Sequence, residues 1–324
     1  MQAEAKSVYR DVVRIGLVGC GRLAEFGYLP AFQQAAGVQL AAVADINQSR
    51  CREIAPGVPA YESISDLIQA GSLDALVIST PTRFHLSNAH CAAEAKLPAL
   101  VEKPPGLNVG EASALQALNP SPWIAFNRRF EPDIARLKEA LPRQGKLHLR
   151  LELHYRRHGW GSFDMQDDVL LDLGPHLIDL ARWLTDSDIL WARVCSLHER
   201  RAQFVLGLQR ADARISCSNN RPHCERIEVK DSLGRITGSY KRGGLASGIL
   251  VRLKRKRENP LVSSLVRQLE AFGGAVRGML DGSPLGTPAD GLVVMSAIDA
   301  VRHSADQGGA ESSLQLFPQL REHL

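Results

Sequence analysis

The chain has 324 residues, 44% of them hydrophobic and 23% charged, a globular composition whose length suggests two domains. A formal net charge of +4 permits an anionic substrate but does not demand nucleic acid. No apolar run is long enough to span a bilayer, "MQAEAKSVYRD" lacks the apolar segment of a secretory signal, and the six scattered cysteines form no C-x-x-C pair; the expectation is a cytoplasmic protein with reduced thiols and no metal site.

In chain order, "VVRIGLVG", "VQLAAVAD", "LDALVIST" and "LPALVEK" read as buried strands, and "SPWIAFN" as the last of that set. Helix-period stretches such as "ISDLIQAG" and "FHLSNAHCAAEAK" lie between them. That alternation predicts βαβ units and a doubly wound parallel sheet, an α/β domain over residues 1–127. Beyond Arg128 the pattern changes. "KLHLRLELHY" alternates, with Leu147, Leu149, Leu151, Leu153 and Tyr155 on one face and His148, Arg150, Glu152 and His154 on the other. A helix follows, then strands at "ILWARVCSLH", "AQFVLGLQ", "ARISCSN", "ERIEVKD" and "GRITGSY", the last two joined by a turn at "DSLG". Two helical stretches close the chain. Residues 128–324 are therefore expected to form an α+β domain, its C-terminal helix packing back on the first domain.

"VGCGRLA" follows the first strand and opens a helix. Gly19 suits a tight turn, Gly21 lets the backbone approach a pyrophosphate and Ala24 lets helix and strand pack closely. The helix start, with Arg22 and Leu23, offers N–H donors to the anion. Asp45, at the end of the second strand, suits a ribose diol and repels a 2′-phosphate, which favours NAD over NADP; Asn47 and Arg50 nearby keep NADP open. In "STPTRFH", Thr80, Pro81 and Thr82 are candidate linings of the nicotinamide side, Thr82 also or instead a helix N-cap, and His85 is either a cofactor contact or a structural residue just inside the helix. In "VEKPP", Lys103 is placed to donate to a substrate oxygen, with Glu102 holding it or touching the ribose.

The stretch "DDVLLDLGPHLIDLARWL", Asp167 to Leu184, is an amphipathic helix. At about 100° per residue, Asp172, His176 and Asp179 share one face. A histidine between two carboxylates suits proton exchange with an alcohol. Pro175 fits better in a first turn or at a bend; a helix starting near Gly174 makes Asp172 only a capping acid. Both readings stand open on the residues alone. In "HYRRHGWGSFD", Arg156, Arg157 and Trp160 are candidate substrate contacts. "VRLKRKREN" reads as a solvated strand edge, and no interleaved aromatics support nucleic-acid binding.

The ordered set G-x-G-x-x-A, a strand ending in Asp, "STPTRFH", "EKP", "FNRRF", "LLDLGPHLIDLARWL" and "ADGL…AIDAVRHSA" resembles the Gfo/Idh/MocA family, from Arg14 to about Ala305. The resemblance implies a Rossmann domain followed by a domain with a large open, mostly antiparallel sheet. It further implies NAD(P)-dependent hydride transfer at a hydroxyl or keto carbon of a sugar, sugar derivative or cyclitol. Lys103, Asp172 and His176 match the positions of the family's catalytic groups, and Asp179 is a partner that orients His176, ties the helix to a neighbour or contacts substrate. The expected partners are a carbohydrate-like small molecule and a second copy, in a homodimer or homotetramer built through the open sheet; no nucleic acid or membrane is expected. Asp167 and Asp168 stand where such proteins often have a glycine-rich run. An imine or tetrapyrrole reductase and a non-enzymatic dinucleotide sensor are the alternatives on this scaffold, and the presence of both Lys103 and His176 argues against each.

Overall fold

The computed structural model describes residues 12–156, 167–243, 259–279 and 284–314. The first sheet contains β1 (Val13–Val18), β2 (Val38–Ala44), β3 (Ala60–Tyr61), β4 (Ala75–Ile78), β5 (Ala99–Glu102) and β6 (Trp123–Ala125). All its pairs are parallel and their order is β3-β2-β1-β4-β5-β6. The strands are apolar almost throughout because helices cover both faces; every residue of β4 and β5 is buried. Strand order reverses between β1 and β4, and ligands of such sheets bind outside the carboxyl ends at that point.

The helices of this half are α1 (Leu29–Phe32), preceded by a π-helical turn at Ala24–Tyr28, then α2 (Gln48–Ile54), α3 (Ile64–Gln69), α4 (His85–Glu94) and α5 (Val109–Gln116). Next, α6 (Pro132–Ala140) leads into the second sheet. That sheet holds β7 (Leu147–Arg156), β8 (Ile189–His198), β9 (Arg201–Leu208), β10 (Ala211–Ser218), β11 (Asn220–Asp231), β12 (Ile236–Gly243) and β13 (Ser312–Ser313). Its order is β12-β11-β7-β10-β9-β8-β13, antiparallel except where β7 and β10 run parallel. Leu147, Leu149, Leu151 and Leu153 of β7 are buried as the alternation predicts. His154, expected on the polar face, is buried as well.

Three helices tie the halves together. α7 (Val169–Thr185) packs Leu170, Leu173, Leu177 and Leu180 into the core shared with the second sheet. α8 (Pro260–Val276) returns to the first sheet, with Leu265, Leu269 and Phe272 joining the core of Val13, Leu17 and Tyr28. Phe272 meets Trp123 edge-on at 5.7 Å, and α9 (Pro288–Asp306) lays Leu292, Val294 and Ile298 in the same core as α7. Of "VRLKRKREN", only Asn259 is a described residue; it caps α8 by accepting from the Leu261 N–H at 3.1 Å.

Pro175 corrects an expectation. It lies well inside α7, neither in the first turn nor at a boundary near Gly174. Its ring nitrogen has no proton, so the Leu171 carbonyl loses its helical donor. Burial of the apolar faces on either side outweighs that loss, and the helix runs through.

Candidate active site

The dinucleotide cradle begins where β1 ends. Gly19 has φ +99°, and a Cβ there would come within 2.7 Å of the Ser79 backbone at the exit of β4. Gly19 thus lets the two strand exits touch across the switch point. Gly21 differs: an added Cβ would meet nothing within 4 Å, so the fold itself does not need that glycine. Bare backbone facing open space, at the start of a helical segment, suits a pyrophosphate. Ala24 is fully buried against β1, as close packing requires. Asp45 Oδ2 accepts from the Cys20 N–H at 2.7 Å and Oδ1 from the Asn47 N–H at 2.9 Å, which fixes the carboxylate beside the glycine turn. Each oxygen keeps a lone pair for a ribose hydroxyl. These features fit a nicotinamide dinucleotide.

The β4 and β5 exits are stapled by His85. Its Nδ1 lies 2.8 Å from the Pro104 carbonyl and its Nε2 2.8 Å from the Thr80 carbonyl. Burial lowers its pKa, although the two carbonyls favour the proton. The ring has no nitrogen left for a cofactor, so His85 positions the loops that carry Thr80 and Lys103. Pro81 is exposed beside it, while Thr80 Oγ1 accepts from the Asn88 amide at 3.1 Å. Thr82 caps no helix; its hydroxyl donates to Asp167 at 2.7 Å. Glu102 is buried and accepts from the Tyr28 hydroxyl at 2.6 Å and from the Lys103 main-chain N–H at 3.2 Å. Burial raises its pKa. It therefore ties the π-helical turn to β5 and does not hold the lysine ammonium.

Lys103 reaches α7. Its Nζ donates to the Asp172 carbonyl at 3.0 Å and lies 3.6 Å from Asp172 Oδ1. The other carboxylate oxygen, Oδ2, accepts from the Tyr155 hydroxyl at 2.6 Å. Asp172 thus stands between a cation from the first sheet and a phenol from the second, and it is no capping residue. Capping falls to Asp168, whose Oδ1 accepts from the Leu171 N–H at 2.8 Å while Oδ2 takes Arg302 at 3.0 Å. The two acids in place of a glycine-rich run therefore have partners: one fastens the start of α7 to the β4 exit, the other caps and anchors it.

His176 is one turn further along the same face. Its Nδ1 is buried with no hydrogen-bond partner among the described residues, which leaves Nε2 as the nitrogen on the more open side. Burial, then the charges of Lys103 and Arg128, hold its pKa well below the usual histidine value. The ring is therefore neutral at neutral pH, the form that can accept a proton.

Asp179 does not join this group. It is 2% exposed and bound by Arg129, with Nε to Oδ2 at 3.0 Å and Nη2 to Oδ1 at 2.5 Å; Arg129 also lies 3.2 Å from Asp290. Burial pushes the Asp179 carboxyl up, and the Arg129 charge opposes it. Asp179 lies one helical turn beyond His176, but its carboxylate is taken up by Arg129, so it ties α7 to a neighbouring element, one of the roles expected of it. Arg156 is exposed at the end of β7, and Arg157 and Trp160 lie outside the described residues.

Sequence reasoning passed over Tyr155, Arg128 and Arg129 as site residues. "FNRRF" held the signal: adjacent arginines in a short helical turn diverge, Arg128 pairing with buried Glu225 and Arg129 with Asp179.

Residues 13–121 match the Gfo/Idh/MocA family model, described as an oxidoreductase family with an NAD-binding Rossmann fold. The chain is 31% identical over 210 residues to the rhizopine catabolism protein MocA of Rhizobium meliloti, covering 60% of this chain and 64% of that protein. It is 29% identical over 194 residues to an inositol 2-dehydrogenase of Corynebacterium glutamicum, covering 56% of this chain and 57% of the relative. The matches thus span less than two thirds of the length of these relatives. The fold is similar to that of scyllo-inositol dehydrogenase from Lactobacillus casei with bound NAD(H) and scyllo-inositol, with a TM-score of 0.78, 18% identity, and coverage of 94% of this chain and 100% of that one.

Proposed function

We propose that the chain is a member of the Gfo/Idh/MocA oxidoreductase family, whose model its residues 13–121 match, and that it is an NAD-dependent dehydrogenase or ketoreductase acting on a hydroxyl or keto carbon of a cyclitol or sugar. The observation that carries this reading is the meeting of Lys103, from the end of β5, with Asp172 and His176 on α7. When bound, the nicotinamide ring supplies the carbon that accepts or returns a hydride. The remaining work falls to side chains of the chain. Gly19 and Gly21 bring the backbone to the pyrophosphate, and Asp45 takes the ribose diol. Lys103 donates to the substrate oxygen from Nζ, fixed by the carbonyl and carboxylate of Asp172. Neutral His176 takes the hydroxyl proton at Nε2 as an alcohol is oxidised and returns it in the reverse direction. Tyr155 keeps the Asp172 carboxylate turned toward the lysine.

The relatives named for inositol oxidation favour a cyclitol. We retain residues 1–127 as the dinucleotide-binding unit, with α8 packed on it, and residues 128–324 as the substrate-binding and oligomerisation unit. Among the described residues no helix is long and apolar enough to cross a membrane. A panel of free, phosphorylated and amino-substituted cyclitols and sugars, assayed with NAD⁺ and with NADP⁺, tests the reading. Dinucleotide reduction with at least one cyclitol or sugar is expected. Tight NADH binding with no turnover on any of them would favour a dinucleotide sensor.

A further inference from the structure

The ribose end of the cradle holds an arrangement that the reaction does not use. Arg50 lies in the first turn of α2, whose cap Asn47 accepts from the Arg50 N–H at 3.0 Å and itself donates its N–H to Asp45. Arg50 thus belongs to the helix start that is hydrogen-bonded to Asp45, the carboxylate proposed to receive the ribose diol. Its guanidinium is not free to turn. Nη2 pairs with Glu25, which follows the glycine turn on the π-helical segment, and Nη1 lies 3.0 Å from Glu53 on the same face of α2. Its Nε is buried without a partner, so among the described residues the two carboxylates hold the group through its outer nitrogens. Glu25 also lies 3.8 Å from Arg22. Glu25 thus faces two arginines, and Arg50 faces two glutamates.

A guanidinium beside the ribose is the group that recognises a 2′-phosphate, because its planar fork matches phosphate oxygens. Here the fork is already filled by carboxylates, and a phosphate arriving at this edge meets Asp45, Glu25 and Glu53 together. We propose that Glu25, assisted by Glu53, is a specificity-determining residue: by occupying Arg50 it keeps the ribose site selective for the dinucleotide without a 2′-phosphate. The proposal rests on the reading that this cradle binds a nicotinamide dinucleotide. It adds that the selectivity does not reside in Asp45 alone and that the machinery for the phosphorylated cofactor is present but engaged elsewhere.

The test needs no substrate. NADH and NADPH are titrated by fluorescence against the full-length chain, the Glu25→Gln/Glu53→Gln double variant, and that double variant carrying Arg50→Ala. The wild type is expected to bind NADH the more tightly. In the double variant the NADPH-to-NADH affinity ratio should rise about tenfold, since a freed arginine now meets the phosphate. The gain should shrink in high salt and vanish once Arg50 is removed. An unchanged ratio in a double variant that still melts cooperatively and binds NADH overturns the proposal, as does a gain that survives Arg50→Ala. If the double variant fails to fold, Glu53→Gln alone, at an exposed side chain, must shift the ratio in the same direction or the proposal falls. A wild type that binds neither dinucleotide contradicts the proposed function itself.

Discussion

The glycine turn after β1 and the N-terminal half of α7 both meet strand exits of the first sheet, Gly19 at Ser79 and α7 at Thr82 and Lys103, and they are built by opposite means. The turn works through backbone: Gly19 passes Ser79 at a distance that no side chain allows, Gly21 leaves the amides bare, and one carboxylate, Asp45, finishes the site. α7 works through side chains whose partners come from distant parts of the chain. Asp167 meets Thr82, Asp168 meets Arg302, Asp172 meets Lys103 and Tyr155, and Asp179 meets Arg129. A backbone site is specified by local conformation. A side-chain site of this kind is specified only once both sheets are in place.

That contrast can be broken by substitution. The largest effect is expected at Arg129. Arg129→Met would leave Asp179 and Asp290 without their shared cation, in a place where Asp179 is nearly inaccessible. Removing one partner of a buried pair costs about 3–5 kcal/mol. A cooperative chemical-denaturation midpoint should fall accordingly, although no atom of the reaction is touched. Next is Gly19→Ala, which forces a side chain into a positive φ against the Ser79 backbone. A loss of about 1–3 kcal/mol is expected together with loss of NADH binding. Gly21→Ala is the sharpening case. It should leave the denaturation midpoint within about 0.5 kcal/mol of the parent, because nothing in the fold opposes the methyl group, yet weaken NADH binding measurably by fluorescence. If both glycine variants lost stability alike, the cradle would be a structural turn and not a ligand site.

The same division explains what could be read from the chain alone. The strands of the first sheet, except the two-residue β3, show as apolar runs separated by helical periods, because a sheet covered on both faces leaves a continuous hydrophobic signature. Gly19, Gly21 and Asp45 were legible because their spacing is set within one βαβ unit. α7 was legible as a helix and its reaction face as a face, but its start was not, since Pro175 pointed to a later one and tertiary burial overrode it. Asp179 was grouped with His176 because the two are one helical turn apart, and only the Arg129 guanidinium on its carboxylate shows which neighbour it serves. Tyr155 gave no local signal and "FNRRF" gave no partner for Arg129, for each acquires its role from a residue on another element. Of the two roles open to His85 at that strand exit, cofactor contact and structural residue, the two carbonyls facing its ring favour the structural one, which fastens one loop to another.

The central claim is that Lys103 and His176, from different sheets' territory, act on one substrate oxygen. Its most direct test is steady-state turnover of Lys103→Ala and His176→Ala with the cyclitol or sugar that the wild type oxidises best, with NADH binding measured in parallel. The account predicts that each variant loses at least about tenfold in turnover, the scale of a lost general acid or base, while NADH affinity changes far less. Turnover unchanged in both variants would contradict it.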